Sequence, residues 1–455
     1  MKIAAVILAA GQGTRMKSAL QKVLHPVCGK PMVSYSLAAA ASTSTEKPVV
    51  IIGMDGESVR DYLGDSARCI IQEQQLGTGH AVMQAESVLR GQADLVLVTY
   101  ADMPLLCSET LAQLVETQKN NLGPMTMLTA ISNDARGFGR VIRDQKGNVQ
   151  AIIEEAVATP EQLGLNELNV GAYCFASDWL WEALHHIPLS PKGEYYLTET
   201  LELAVKAGLA VKALPCPDLT ETIGINTRVH LAEAEAAMRS RINRKHMLVG
   251  VTLIDPTTTY IDADVSIGRD SVIWPNTYLS GQTVIGENCV IGPNTIARDM
   301  VIGDHCEILA AVMDQAIVED HVGIGPFARL RKGAHLCKGV HMGNFGEVKD
   351  STLGPGTKMG HFSYLGNATI AENVNIGAGT ITCNYDGVRK NPTEIGENAF
   401  IGSDTMLVAP VKIGARAKTG AGAVVTKNVE EDTLVVGVPA RPIKKLNEAK
   451  NDSAK

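Results

Sequence analysis

A six-residue period in the second half of the chain constrains its fold more than any other feature. An aliphatic residue returns at Ile261, Ile267, Ile273, Leu279, Ile285 and Ile291, then after a break at Val318, Ile324, Leu330, Leu336 and Met342. The count resumes at Leu353, Met359 and Leu365, and again at Ile395, Ile401, Leu407 and Ile413. Glycine directly follows many of these, as at Gly268, Gly286, Gly325 and Gly402. Such a period fits neither an amphipathic helix nor the alternation of a long strand. It fits short strands joined by tight, glycine-permitted corners, each rung pointing into one shared interior. No coil of such a solenoid buries its apolar side alone, so the coils must stack. The period predicts a parallel β-helix and leaves open what it binds.

The chain has 455 residues, enough for two or three domains. A net charge of −8 argues against a nucleic-acid partner. The nine cysteines form no CxxC pair or even framework and read as reduced thiols. A short apolar run follows Lys2, but Gly11–Arg15 interrupts it, against a secretory leader. No run reaches the roughly 18 apolar residues of a membrane span. A cytoplasmic protein is expected.

Residues 1–227 show strands alternating with helices. Ile3–Ala9, Val49–Ile52 and Leu95–Val98 are continuous apolar runs, as in strands buried on both faces. Helical patterns occupy Met32–Ala41, His80–Leu89 and Ser108–Thr117. This alternation predicts a Rossmann-like, doubly wound α/β domain with a mostly parallel sheet. Ligands on such sheets sit at the carboxyl ends of the strands. Residues 228–249 read as a solvated linker helix, Arg228–Leu248, with Glu235 and Arg239 at a supportive four-residue spacing. Residues 250–455 form the β-helix domain and tail.

The first run ends in Leu8-Ala9-Ala10-Gly11-Gln12-Gly13-Thr14-Arg15-Met16. Its glycines let backbone N–H groups approach a phosphate, and Arg15 adds a fixed charge. It is neither a dinucleotide fingerprint nor a Walker loop. Asp102, at the tip of the third run, is placed to hold Mg²⁺ beside a phosphate, although turn or capping aspartates are commoner. Gln72–His80 could line the same cleft, and Gly137–Arg140 reads as a hairpin turn unless it closes over a ligand. In the solenoid, polar and basic groups gather around His361, whose unperturbed pKa suits proton transfer from an amine.

Leu8–Met16 followed by Gln21-Lys22-Val23-Leu24 resembles the sugar-nucleotide pyrophosphorylases, whose pattern is L-A-A-G-x-G-T-R-M and then P-K-V-L. With Gln75–His80 and the six-residue period, the chain from Ile3 to about Val436 is similar to a bacterial family that pairs N-acetylglucosamine-1-phosphate uridyltransferase with glucosamine-1-phosphate acetyltransferase. The resemblance implies a nucleotide-diphospho-sugar transferase domain followed by a left-handed parallel β-helix of hexapeptide repeats. It also implies UTP, N-acetylglucosamine 1-phosphate, glucosamine 1-phosphate and acetyl-coenzyme A as substrates, Mg²⁺ as cofactor, and a homotrimer. Leu8, Ala9, Ala10, Gly11, Gln72, Gly77 and Thr78 would receive the nucleotide, with Tyr100 beside them. Arg15 and Lys22 would face the triphosphate, Asp102 and Asn226 would hold Mg²⁺, and Gly139, Glu154 and Asn169 would contact the sugar. In the second half, His361 would be the general base and Arg331 and Lys349 would bind the sugar phosphate. Tyr364 and Asn375 would contact the sugar; Ala378, Asn384, Tyr385, Ser403 and Ala421 would line the coenzyme A site. The chain departs from the pattern at Gln21 (proline), Ala101 (glycine), Val170 (threonine) and Ala156-Val157. Gly346 is a smaller departure, and Gly437 stands where some relatives carry arginine. Two alternatives are a single-activity nucleotidyltransferase with a structural β-helix, and a non-catalytic regulatory subunit.

Overall fold

The computed structural model describes residues 1–446; residues 447–455, the end of the expected tail, lie outside the described residues. The chain divides into two compact units, Met1–Met238 and one beginning at Arg239.

The first unit is built on Ile3–Ala9, an almost wholly buried strand whose apolar side chains are matched by layers on both faces. It pairs in parallel with Val49–Gly53 on one side and Leu95–Tyr100 on the other. Arg68–Gln72 extends the sheet beyond Val49–Gly53. Glu167–Ala176 runs antiparallel between Leu95–Tyr100 and Met125–Ile131, and Val211–Pro215 closes the far edge in parallel. The sheet is thus mostly parallel, and the carboxyl ends of Ile3–Ala9 and Leu95–Tyr100 point the same way.

Two local expectations are corrected. The pattern over His80–Leu89 is two short helices, Thr78–Met83 and Glu86–Leu89. Between them the turn tightens: Gln84 N–H donates to Ala81 O and Ala85 N–H to Val82 O, three residues back. Gly137–Arg140 is not a hairpin turn. The hairpin pairs Arg140–Arg143 with Val149–Ile153 and turns at Asp144–Asn148, where Asp144 Oδ1 accepts the N–H groups of Lys146 and Asn148 at 2.8 Å.

The second unit stacks short strands into three parallel sheets around one apolar interior. Every rung of the six-residue ladder is buried, and coils pair eighteen residues apart, as in Ile261↔Leu279 and Ile267↔Ile285. Where the period breaks, the ladder does not: Ile285 pairs with Ile302 and Leu336 with Leu353, so one side of those coils is a residue shorter. A longer excursion, between Cys383 and Thr393, loops out before Ala368–Ile370 pairs with Thr393–Ile395. Glycine serves a different purpose from the one its position suggests. A Cβ at Gly268 would lie 2.5 Å from the Gly286 carbonyl carbon of the next coil, so these glycines permit close stacking. The left-handed corner conformation falls largely to Asp, Asn and His, among them Asp270, Asn276, Asn288 and His305.

Helix Arg228–Leu248 runs through the division between the units and is less solvated than its charge pattern suggests. In the first unit Glu235 Oε2 accepts the Cys28 N–H at 2.7 Å, and Ala234 is buried. In the second, Asn243 is buried, donating to Pro256 O and Thr259 O, and the Arg239 guanidinium lies 4.4 Å over the Tyr260 ring. No helix among the described residues is long and apolar enough to cross a membrane.

Candidate functional site

A cavity of about 310 Å³ opens at the carboxyl end of the first unit's sheet. Leu8, Ala9, Ala10, Gly11, Lys22, Gln72, Gly77, Thr78, Tyr100 and Asp102 line it together, which places ten of the expected residues around one space. Hydrogen bonds between lining residues brace the walls. Gln75 Nε2 donates to Ala10 O at 2.6 Å, and Gln72 Nε2 to Gly77 O at 3.1 Å. Gly77 is left-handed, with φ 94°, and a Cβ there would come within 2.7 Å of Tyr195 O.

At one end of the cavity four polar groups meet. Lys22 Nζ lies 2.5 Å from Asp102 Oδ2 and 3.4 Å from Asn226 Oδ1, and Arg15 donates to the same Asn226 oxygen at 3.0 Å. Gly13 permits this: its φ is 63°, and a Cβ would sit 2.6 Å from Lys22 Cβ. A carboxylate and an amide oxygen converging on one positive point are hard donors of the kind a divalent cation takes. The Lys22 ammonium marks where positive charge is favoured, so the two residues fit the expected ion.

Gly139, Glu154 and Asn169 form an adjoining group. Asn169 N–H donates to Gly139 O at 2.8 Å, and Gly139 sits near the Glu154 carboxyl. The protein around Glu154 lifts its carboxyl above the usual range, with Lys192 opposing, although the side chain keeps contact with solvent. Burial also raises the Tyr100 phenol, as does the nearby Asp102 charge. The Asn169 amide is engaged internally, 2.8 Å from the Tyr173 hydroxyl. Two of the departures face inward: Ala101 and Val170 are both buried.

The second unit carries its polar groups along one edge of the coil. Met342, Met359, Ile376 and Ile401 are in register, and Ile401 precedes Gly402 as Thr419 precedes Gly420 in the next coil. Two residues on from each lie Asn344, His361, Ala378, Ser403 and Ala421, so the small side chains continue the edge beyond His361. His361 is exposed, and its Nδ1 is 3.2 Å from Asn344 Oδ1. In the tautomer that donates this bond, Nε2 is free to accept a proton. On the sheet after this edge, Glu347 pairs with Arg329 and Tyr364, and Lys349 with Gly366. Arg331 Nη1 lies 2.8 Å from Glu347 Oε1, and the Tyr364 hydroxyl and Asn384 amide converge over Gly366. Asn375 stands on the sheet before the edge, between Lys358 and Phe400. Tyr385 is exposed on the looped-out segment.

That segment brings in Lys390, which the sequence reading passed over. The Lys349 and Lys390 side chains approach each other with Arg331 close by, and the Lys349 ammonium pulls the Lys390 pKa down. Only the loss of period after Cys383 hinted at a segment free to fold back. Gln75, Glu194 and Tyr196 of the first cavity, and Asn344, were also passed over. Gln75 and Asn344 lay within stretches already singled out; Glu194 and Tyr196 carried no signal.

Residues 5–194 match the MobA-like NTP transferase domain, and residues 264–299 and 392–427 match the bacterial transferase hexapeptide (six repeats). The second match accords with a left-handed β-helix. Proteins named Bifunctional protein GlmU are similar over nearly the whole chain. The one from a Geobacillus species is 45% identical over 97% of this chain and 96% of its own length. That of Heliobacterium modesticaldum is 46% identical over 96% and 95%, and that of Lactococcus lactis subsp. cremoris is 46% identical over 98% and 97%. Likeness at this level spans both units in their order, and the chain belongs to the bifunctional GlmU family.

Proposed function

We infer that the protein makes UDP-N-acetylglucosamine in two steps at two separate sites. The second unit transfers acetyl from acetyl-coenzyme A to glucosamine 1-phosphate. The first joins N-acetylglucosamine 1-phosphate to UTP and releases pyrophosphate.

In the acetyl step the free amine attacks the thioester carbonyl and the thiolate of coenzyme A leaves. His361 Nε2 takes the amine proton, held in its tautomer by Asn344. Arg331, Lys349 and Lys390 offer three cations to the sugar phosphate, with Tyr364 beside them. Ala378, Ser403 and Ala421 leave room along the edge for an extended cofactor, with Asn384 and Tyr385 at its side.

In the uridylyl step a phosphate oxygen attacks the α-phosphorus of UTP in line. Leu8–Gly11, Gln72, Gly77 and Thr78 hold the nucleotide, and Lys22 and Arg15 face its phosphates. Asp102 and Asn226 hold a divalent cation, assigned as Mg²⁺ from their hard oxygens. When bound, that ion neutralises charge on the reacting phosphates. Lys22 then exchanges its carboxylate partner for phosphate oxygen. Glu154, Gly139 and the Asn169 backbone, which neighbour one another, would contact the sugar.

A homotrimer is supported by Phe327, Phe345 and Phe362, exposed one per coil beside the His361 edge, the first two stacked at 5.3 Å. Light scattering of the full chain tests that assembly. A cytoplasmic location suits the substrates and cysteines that form no disulfide among the described residues.

The observation that carries this reading is the pairing of the Lys22–Asp102–Asn226 cluster with the His361 edge and its three cations on one chain. The test supplies glucosamine 1-phosphate, acetyl-coenzyme A, UTP and Mg²⁺, and measures free thiol and pyrophosphate separately. Both should appear, with pyrophosphate depending on prior acetylation. Pyrophosphate from N-acetylglucosamine 1-phosphate without any thiol release would leave only a nucleotidyltransferase, and neither product would leave a regulatory subunit.

A further inference from the structure

On a face of the coil that neither site uses, Glu319, His335 and Cys337 come together. Their positions follow from the ladder. Val318 and Leu336 are paired, inward-pointing rungs; Glu319 follows the first, and His335 and Cys337 flank the second. Two neighbouring coils therefore present three side chains outward at one place. His335 Nε2 lies 2.8 Å from Glu319 Oε1, Cys337 Sγ lies 4.0 Å from His335 Nε2, and the ligand atoms of all three fall within 4.8 Å of one another.

We propose that Glu319, His335 and Cys337 bind a borderline-soft divalent cation, Zn²⁺ by preference, in a three-ligand site bridging adjacent coils. Thiolate, imidazole and carboxylate form a donor set typical of zinc, whereas the Asp102–Asn226 oxygens suit a harder ion. The Lys338 N–H, 2.9 Å from Glu319 Oε2, holds the carboxylate's other oxygen and so orients it. Three protein ligands leave a fourth position for water. All three side chains are half-buried, open enough to admit an ion and fixed to a rigid ladder. Binding replaces the Glu319–His335 hydrogen bond and releases the Cys337 thiol proton, one proton per ion when His335 is neutral. Because binding releases that proton, occupancy should fall as pH falls.

The test titrates the chelator-treated full chain with Co²⁺ as a spectroscopic probe. One equivalent should give an intense thiolate-to-cobalt charge-transfer band, absent from an all-oxygen site. The band should vanish in Cys337→Ser, with acetyl transfer retained as the measure of intact fold, and Glu319→Gln should weaken binding about tenfold or more. On the unmutated chain, Zn²⁺ should protect Cys337 from iodoacetamide, read by mass spectrometry. The absence of the band, its survival in Cys337→Ser, or unprotected alkylation of Cys337 with Zn²⁺ present would each overturn the proposal.

Discussion

Lys22 Nζ and Asp102 Oδ2 lie 2.5 Å apart, although one residue belongs to the loop after the first strand and the other to the tip of a strand eighty residues on. The two side chains are only 11% and 19% exposed, so neither charge is well solvated, and each needs the other until phosphate and metal arrive. Asp102→Asn removes the carboxylate and leaves the ammonium with amide oxygens alone. Pyrophosphate release should drop by about 10²–10³-fold. Acetyl transfer should be unchanged, because Asp102 and His361 lie in different units. Separate pyrophosphate and thiol assays on the one variant check this, and a parallel fall in both would contradict two independent sites.

The bond between His361 Nδ1 and Asn344 Oδ1 at 3.2 Å makes a graded prediction. His361→Ala removes the proposed base and should lower acetyl transfer by about 10²–10⁴-fold. Asn344→Ala removes only the group that sets the tautomer, so kcat should fall by a smaller factor with KM for glucosamine 1-phosphate unchanged. Asn344→Asp keeps an acceptor oxygen and should restore much of the loss. A change confined to KM would make Asn344 a binding residue instead.

Legibility in the sequence followed the range of the physics involved. Burial is periodic, so Ile261, Leu330 and Leu407 disclosed the β-helix by spacing alone, and all three are interior. The cavity at the end of Ile3–Ala9 was legible because parallel strands expose their carboxyl ends, and the glycine-bearing loop follows directly. The reason for glycine after rungs such as Ile267 was hidden, since the clash that Gly268 avoids is with Gly286, eighteen places away. Lys390 was hidden as well: only the folded excursion after Cys383 brings it to Lys349. Likewise Glu319 and His335 are sixteen residues apart and meet only because the stacked coils set Val318 beside Leu336, with Glu319 one step after the first rung and His335 one step before the second.

Lys390 carries a pH signature. The neighbouring Lys349 ammonium brings its pKa below the ordinary 10.5. As pH rises, Lys390 therefore loses its charge earlier than a free lysine would, and binding of the sugar phosphate should weaken from that point. Lys390→Arg keeps its charge throughout. The ratio of kcat/KM for glucosamine 1-phosphate between the two proteins should fall on the alkaline side, the substrate's own amine cancelling from the comparison. Lys390→Gln should raise KM about tenfold at neutral pH. An unchanged ratio across the alkaline range would remove Lys390 from the phosphate site.

His25 makes the stability of the first unit sensitive to acid. The ring is 4% exposed, Nδ1 lies 3.2 Å from Arg228 Nη1, and Nε2 has no hydrogen-bond partner. A guanidinium only donates, so Nδ1 must accept, and a protonated ring would lose that bond and face a fixed positive charge. Burial, and then the Arg228 charge, accordingly hold the His25 pKa below 6.5, outweighing the backbone of Leu20. The unfolded chain thus binds a proton at higher pH than the folded one does. The contribution of this site is fully present above pH 6.5 and is lost as pH falls from there towards the lowered value. His25→Asn offers an acceptor to Arg228 without titrating, and should flatten the decline of stability below pH 6.5. Trp274→Phe leaves Trp179 and Trp181, both in the first unit, to report its thermal unfolding by fluorescence. The slope against pH should be shallower with Asn at position 25, and equal slopes would mean that folding does not move the pKa of the ring.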